Sequence, residues 1–184
     1  MIPSLRTVLV TLAAFLAMEP MTYVLHRFVM HGPGLVWHRS HHARRTGRLE
    51  RNDWYPVVFA STTITLMLLG ALVPALRVLL PFGAGITLYG MTYLFVHDVC
   101  IHHRAVPRLT RRIGGARPLE HLASSHALHH RFGGEPYGML LPVIPARLRA
   151  RAARAEESRE DGRPAASAAP ANSSSSTSTS TSSS

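Results

Sequence analysis

Lysine is missing from this chain of 184 residues: all twenty basic side chains are arginine, against ten acidic ones. The formal net charge of +10 raises nucleic acid as a partner. The arginines cluster beside uncharged apolar runs, however, so membrane topology explains them and no nucleic-acid partner is expected. Cysteine is nearly absent. Cys100 alone excludes an intrachain disulfide, and it reads as a small apolar filler. Beyond about Arg147 large apolar side chains become scarce, so residues 147–184, Ala/Arg/Glu-rich and then Ser/Thr-rich, cannot bury a core and are expected to be disordered.

Charge is also missing from long stretches of the remainder. A bilayer crossing needs roughly 17–25 mainly apolar residues. Thr7–Leu25 qualifies, broken only by Glu19, and so do Trp54–Leu76 and Val78–Val96, with Arg77 alone between them. Pro74 and Pro81 bracket that join and predict a tight hairpin. A fourth run, Pro136–Ala146, has eleven residues including three prolines; it is too short to cross and is expected at the interface. The first run has Arg6 ahead of an apolar stretch, as a signal peptide does, but it continues straight into His26 and is read as retained.

Arginine placement sets the orientation. Arg27, Arg39, Arg44, Arg45, Arg48 and Arg51 follow the first span, and Arg104, Arg108, Arg111, Arg112 and Arg117 follow the third. Arg6 and Arg77 stand alone at the other ends, which predicts both rich segments in the cytoplasm. The expected fold is therefore all-α, with a membrane-embedded unit over residues 1–146 carrying three transmembrane helices, or four. A bacterial inner membrane is the expected location.

What the chain has in plenty is histidine. His26/His31 and His97/His102 spell His-x4-His, and His38/His41/His42 and His126/His129/His130 spell His-x2-His-His. On a helix, residues i, i+3 and i+4 share a face, so each triplet presents three imidazoles together. Residues five apart are about 140° round an ideal helix, so the pairs need a local distortion, a helix end or two metals to serve. Ten imidazoles exceed the four of a zinc site and suit two metals. Spacing alone does not choose among iron, copper, nickel and zinc. Glu19, Asp53 beside Asn52, and Asp98 are candidates to orient ligating imidazoles. His103 and His121 fall outside the pattern.

The four boxes in this order resemble those of the membrane fatty acid hydroxylase superfamily. More narrowly, "HRFVMHGPGLVWHRSHH", "NDWYPVVFA", "YGMTYLFVHDVCIHHR" and "HALHH" resemble the bacterial β-carotene hydroxylase family, over roughly Glu19 to Pro145. The resemblance implies a non-haem di-iron monooxygenase that hydroxylates C3 of β-ionone rings. It would take β-carotene through β-cryptoxanthin to zeaxanthin, using O2 and electrons from ferredoxin or a similar donor. It also implies that two iron ions are held by His26, His31, His38, His41, His42, His97, His102, His126, His129 and His130. His103 stands where family members commonly carry Gln, and "RFGGEPYGMLLPVIP" matches only loosely.

Other readings remain open at this point. A related oxygenase acting on a fatty acid, a sterol or another carotenoid fits the same boxes. A non-enzymatic metal-binding or transport membrane protein is a rival from another class; a transporter should place polar ligands mid-membrane, where these spans have none. A zinc hydrolase needs a general base, with Glu120 or Glu135 as weak candidates.

Overall fold

The computed structural model describes residues 3–43, 47, 49–104, 116–160 and 162. Among these the chain is entirely helices and their connections. α1 (Leu5–Val24) starts at Ser4, whose hydroxyl accepts the Thr7 amide at 3.2 Å, and runs directly into a π-helical segment, Leu25–Met30. α2 (Leu35–His42) follows, then a short 3-10 turn, Arg51–Asp53, that leads into α3 (Trp54–Leu72). A second 3-10 turn, Pro74–Leu76, reverses the chain into α4 (Leu79–Leu94), which continues as a second π segment, Phe95–Ile101. α5 (Arg117–Phe132) and α6 (Ala146–Glu160) complete the set.

Three continuous helical stretches are long and apolar enough to cross a bilayer: Leu5–Met30, Arg51–Leu72 and Leu79–Ile101, with mean hydropathies of 1.8, 1.7 and 1.5. Leu9, Leu12, Leu16, Ile64, Leu68, Leu88 and Met91 stand exposed along them. Such a belt is unfavourable in water and suits lipid. This is a membrane protein. The second stretch ends at Leu72 rather than Leu76 because Pro74 cannot continue the helix and starts the 3-10 turn instead.

α4 packs between α1 and α3. Small residues allow the approach: a Cβ on Gly85 would lie 2.3 Å from the Thr11 carbonyl oxygen and 2.7 Å from the Ala14 Cβ. Thr11 Oγ1 also donates across that seam to the Pro81 carbonyl at 3.1 Å. Buried polar residues concentrate at the opposite end of α4, where His26, His38, His41, His97, His126 and His129 are all buried. The interior at that end is imidazole rather than hydrocarbon.

Part of the tail expected to be disordered is helical. Ala, Arg and Glu are strong helix formers, and α6 gains a packing anchor from buried Leu148. Residues 163–184 lie outside the described residues, as do Arg44, Arg45, Arg48, Arg108, Arg111 and Arg112. The run Pro136–Ala146 forms no spanning helix, and its Leu141 and Val143 are 73% and 74% exposed.

Candidate metal centre

The five-residue spacing is resolved by the backbone. A π-helix closes i→i+5 hydrogen bonds, so residues five apart stack on one face. The His31 amide donates to the His26 carbonyl at 3.0 Å, and the His102 amide to the His97 carbonyl at 2.9 Å. The first and third membrane helices thus widen at their ends, and each aims two imidazoles the same way. α2 and α5 deliver the triplets by ordinary helical spacing; Gly133, at φ 67°, caps α5 in the left-handed conformation.

Ten imidazoles converge in two groups. In the first, Nε2 atoms follow one another from His26 to His38 (3.0 Å), His42 (3.1 Å), His129 (3.1 Å) and His31 (3.2 Å). In the second they run from His97 to His41 (3.1 Å), His130 (3.1 Å), His126 (2.8 Å) and His102 (3.0 Å). Each half of the repeat therefore lends one residue to the other. α2 gives His38 and His42 to the first group but His41 to the second, while α5 gives His126 and His130 to the second but His129 to the first. His42 stacks on His130 across the divide, with centroids 4.5 Å apart.

The opposite ring nitrogens show what these groups can hold. His26 Nδ1 donates to the Tyr137 carbonyl at 2.9 Å, His38 Nδ1 to Asn52 Oδ1 at 2.8 Å, and His129 Nδ1 to the Gly134 carbonyl. His97 Nδ1 faces Asp98 Oδ2 at 3.3 Å, and His41 Nδ1 lies 3.6 Å from Glu50 Oε2. A ring whose Nδ1 carries the proton leaves a bare lone pair on Nε2. Two such lone pairs, on His26 and His38, lie 3.0 Å apart and cannot hydrogen-bond to each other. A cation at the centre reconciles them. Metal–nitrogen bonds of about 2.1 Å put neighbouring ligands about 3.0 Å apart at right angles and about 3.4 Å apart in a tetrahedron. The observed spacing matches the right-angled case, with five mutually close donors in the first group and four, His41, His97, His102 and His126, in the second, which His130 joins through His41 and His126. The donor set fits two metal ions of octahedral preference.

Burial favours the neutral form of His31, His38, His41, His42, His102, His126, His129 and His130, as ligands must be. It is the main cause of lowered pKa values, to about 4 at His38 and His130 and about 3 at His42, His102 and His129. Burial and repulsion from neighbouring imidazoles push His41 and His126 further down, and burial lowers His31. A small cavity of about 180 Å³ opens on His41, His102 and His130, walled by Glu50 and Arg104.

The carboxylates predicted from sequence sit around this core in different ways. Asp98 contacts His97 directly. Asp53 reaches no imidazole: both its oxygens accept from Arg104 at 2.8 Å, and Arg104 in turn donates to Asp98 at 2.8 Å. Glu19 accepts from the Tyr89 hydroxyl at 2.6 Å and from the amides of Met139, Leu140 and Leu141 at 2.9–3.2 Å. It fastens the segment whose Tyr137 carbonyl orients His26. Glu50, Arg104 and the carbonyls of Gly134 and Tyr137 were not legible as site groups, since nothing in a lone carboxylate or a backbone oxygen marks it in a sequence. His103 and His121 are exposed, Glu120 is exposed on the first turn of α5, and Glu135 is engaged by Arg147 and Arg27. Neither candidate general base belongs to the histidine groups.

Against known families, the fatty acid hydroxylase model matches residues 11–146. The chain belongs to the fatty acid hydroxylase family. That match takes in all ten converging histidines and stops where α6 begins. Its relatives include the β-carotene hydroxylase of Pantoea ananas, 39% identical over 127 residues that cover 69% of this chain and 70% of that one. The β-carotene hydroxylase of Pseudescherichia vulneris is 37% identical over 146 residues, covering 77% and 80%. The chloroplastic β-carotene 3-hydroxylase of Haematococcus lacustris is 38% identical over 141 residues; these are 73% of this chain but 43% of that longer protein. No solved structure matches the chain.

Proposed function

We propose that this family member is a β-carotene hydroxylase: a membrane-embedded di-iron monooxygenase that inserts one oxygen atom into β-ionone rings at C3. The observation that carries the reading is the convergence of ten imidazoles into two groups where two membrane helices end. His26, His31, His38, His42 and His129 would hold one iron, and His41, His97, His102, His126 and His130 the other. Iron bound by imidazole supplies the chemistry of O2 reduction and C–H oxidation. The overall change is balanced when the ring C–H, O2, two electrons and two protons give the alcohol and water, with ferredoxin or a similar carrier as donor. The named relatives support the carotenoid as substrate.

The chain's own residues prepare this chemistry. Tyr137 lies edge-on to His26, His31 and His129 at 5.3–5.6 Å, and Tyr93 stacks on His97 at 5.0 Å; both cover imidazole faces that water would otherwise reach. Asn52, Asp98 and the Tyr137 and Gly134 carbonyls keep the Nδ1 protons in place, so every Nε2 they control points inward unprotonated. Exposed apolar faces on the spans suit a substrate that stays in lipid. Arginine placement supports a site that faces the cytoplasm, and the membrane we propose is a bacterial inner membrane.

The test is made in cells that accumulate β-carotene, expressing the protein beside a His129→Ala variant. Carotenoids with one and then two hydroxyl groups at C3 are expected with the native chain and absent with the variant, by chromatography and mass spectrometry. Unchanged β-carotene, with iron-loaded protein present in the membrane, would remove the carotenoid assignment and leave the two-metal site standing. Lipid and sterol substrates would then be tried.

A further inference from the structure

A second recess lies beside the metal centre and is lined by none of its imidazoles. It has a volume of about 370 Å³, and its walls include Arg27, Arg147, Arg151 and Arg154, with Glu135 as the lone carboxylate. Three of these arginines come from α6 at positions i, i+4 and i+7, which share one helical face. Arg147 pairs with Glu135 at 2.5 Å, and Arg27 lies 3.8 Å from the same carboxylate. Arg151 lies over the Phe132 ring at 4.5 Å. Among the described residues no carboxylate pairs with Arg151 or Arg154, so four guanidinium groups face one acid.

We propose that this recess binds the phosphate of an anionic phospholipid headgroup. Two observations favour a lipid over a soluble anion. Arg27 lies in the last turn of the first bilayer-crossing helix, at the depth where headgroup phosphates sit. Phe28, exposed beside it, and Leu141 and Val143, exposed in the segment that Glu19 fastens to α1, offer apolar surface to acyl chains at the same end of the bundle. Guanidinium forks match phosphate oxygens in pairs. Positive-inside topology alone needs charge on this side of the membrane but no concave site with converging arginines. The recess also shares Gly134 and Tyr137 with the metal centre, so its occupant borders the loop whose carbonyls orient His129 and His26.

The probe is phosphatidylglycerol, with phosphatidylcholine as the neutral comparison. Each is titrated into the full-length protein in neutral detergent and followed by native mass spectrometry. Phosphatidylglycerol is expected to fill one saturable site that phosphatidylcholine leaves empty. Arg151→Gln with Arg154→Gln should weaken it roughly thirtyfold, from about 1 kcal/mol per arginine at an anionic surface. Arg149→Gln, on the same helix but outside the recess, should stay within about twofold. Inorganic phosphate that competes at millimolar concentration, with the same sensitivity to the double variant, supports recognition of the phosphate itself; saturation by inorganic phosphate alone, with no gain from the lipid, overturns the headgroup assignment. Equal binding of the two lipids, or an equal loss from Arg149→Gln, would refute the site. So would an acidic soluble protein whose binding falls in the double variant while phosphatidylglycerol binding stays unchanged. An unaltered helical spectrum and thermal midpoint in the double variant separates these results from misfolding.

Discussion

A ligating imidazole has two nitrogens with different duties, and the protein commits one to leave the other bare. His38 shows this most directly. Its Nδ1 donates to Asn52 Oδ1 at 2.8 Å, which fixes both the tautomer and the ring plane. Asn52→Leu removes the acceptor while keeping the side chain's size, so the proton is free to move to Nε2 and block the metal. Metal affinity at the group of His26 is expected to fall about 10- to 100-fold, read by competition with a chelator. Asn52→Asp, which keeps an acceptor, should hold most of it. Equal affinities in all three proteins would show that the tautomer needs no partner here. At His97 the same duty passes through Asp98 to Arg104 and Asp53, so one arginine links the third span to the turn before α3.

At the scale of elements, the two π segments convert membrane helices into ligand carriers. His-x4-His was legible as needing a local distortion, a helix end or two metals, because five residues do not return to one face of an α-helix, and the choice emerges only from the backbone bonds of His31 and His102. The spans, the all-α class and the two-group arithmetic were equally legible, since hydropathy and i, i+3, i+4 spacing are local signals. The exchange of His41 and His129 between groups was not, because it depends on how α2 and α5 face each other. Glu19 was visible as a carboxylate in an apolar run, and its partners, Tyr89 at 70 residues and three amides at 120–122 residues further on, were not. Its position leads to a second expectation. Glu19→Ala strips three amides and a hydroxyl of their acceptor and loosens the segment that carries the Tyr137 carbonyl. Hydrogen exchange at residues 139–141 should rise, and chelator-resistant metal should drop toward one ion per chain. Glu19→Gln, which keeps an amide oxygen there, should lie in between. Fast exchange with both metals retained would leave Glu19 a role in stability alone.

For the molecule as a whole, a polar core sits where a soluble bundle would place leucines, and the metal-free protein must carry it. Imidazoles with opposed lone pairs are tolerable neutral and costly charged. The sign of the resulting pH dependence follows from the pKa values. The unfolded chain takes up protons near the ordinary value of 6.5, whereas His42, His102 and His129 in the fold wait until about 3, and His38 and His130 until about 4. Between those limits the unfolded state holds more protons, so stability is full above pH 6.5 and is lost as pH falls toward 4. Each such imidazole costs up to about tenfold in the folding equilibrium per pH unit over that range. The metal-stripped protein in detergent is therefore expected to lose thermal stability steeply from pH 6.5 to pH 5 and to change little from pH 7 to pH 8. Iron at saturating concentration should raise the curve and move its fall to lower pH, because bound metal competes with the same protons. A flat profile in the stripped protein would mean that the histidine core opens to water without the metals, and that the metals build the site they occupy.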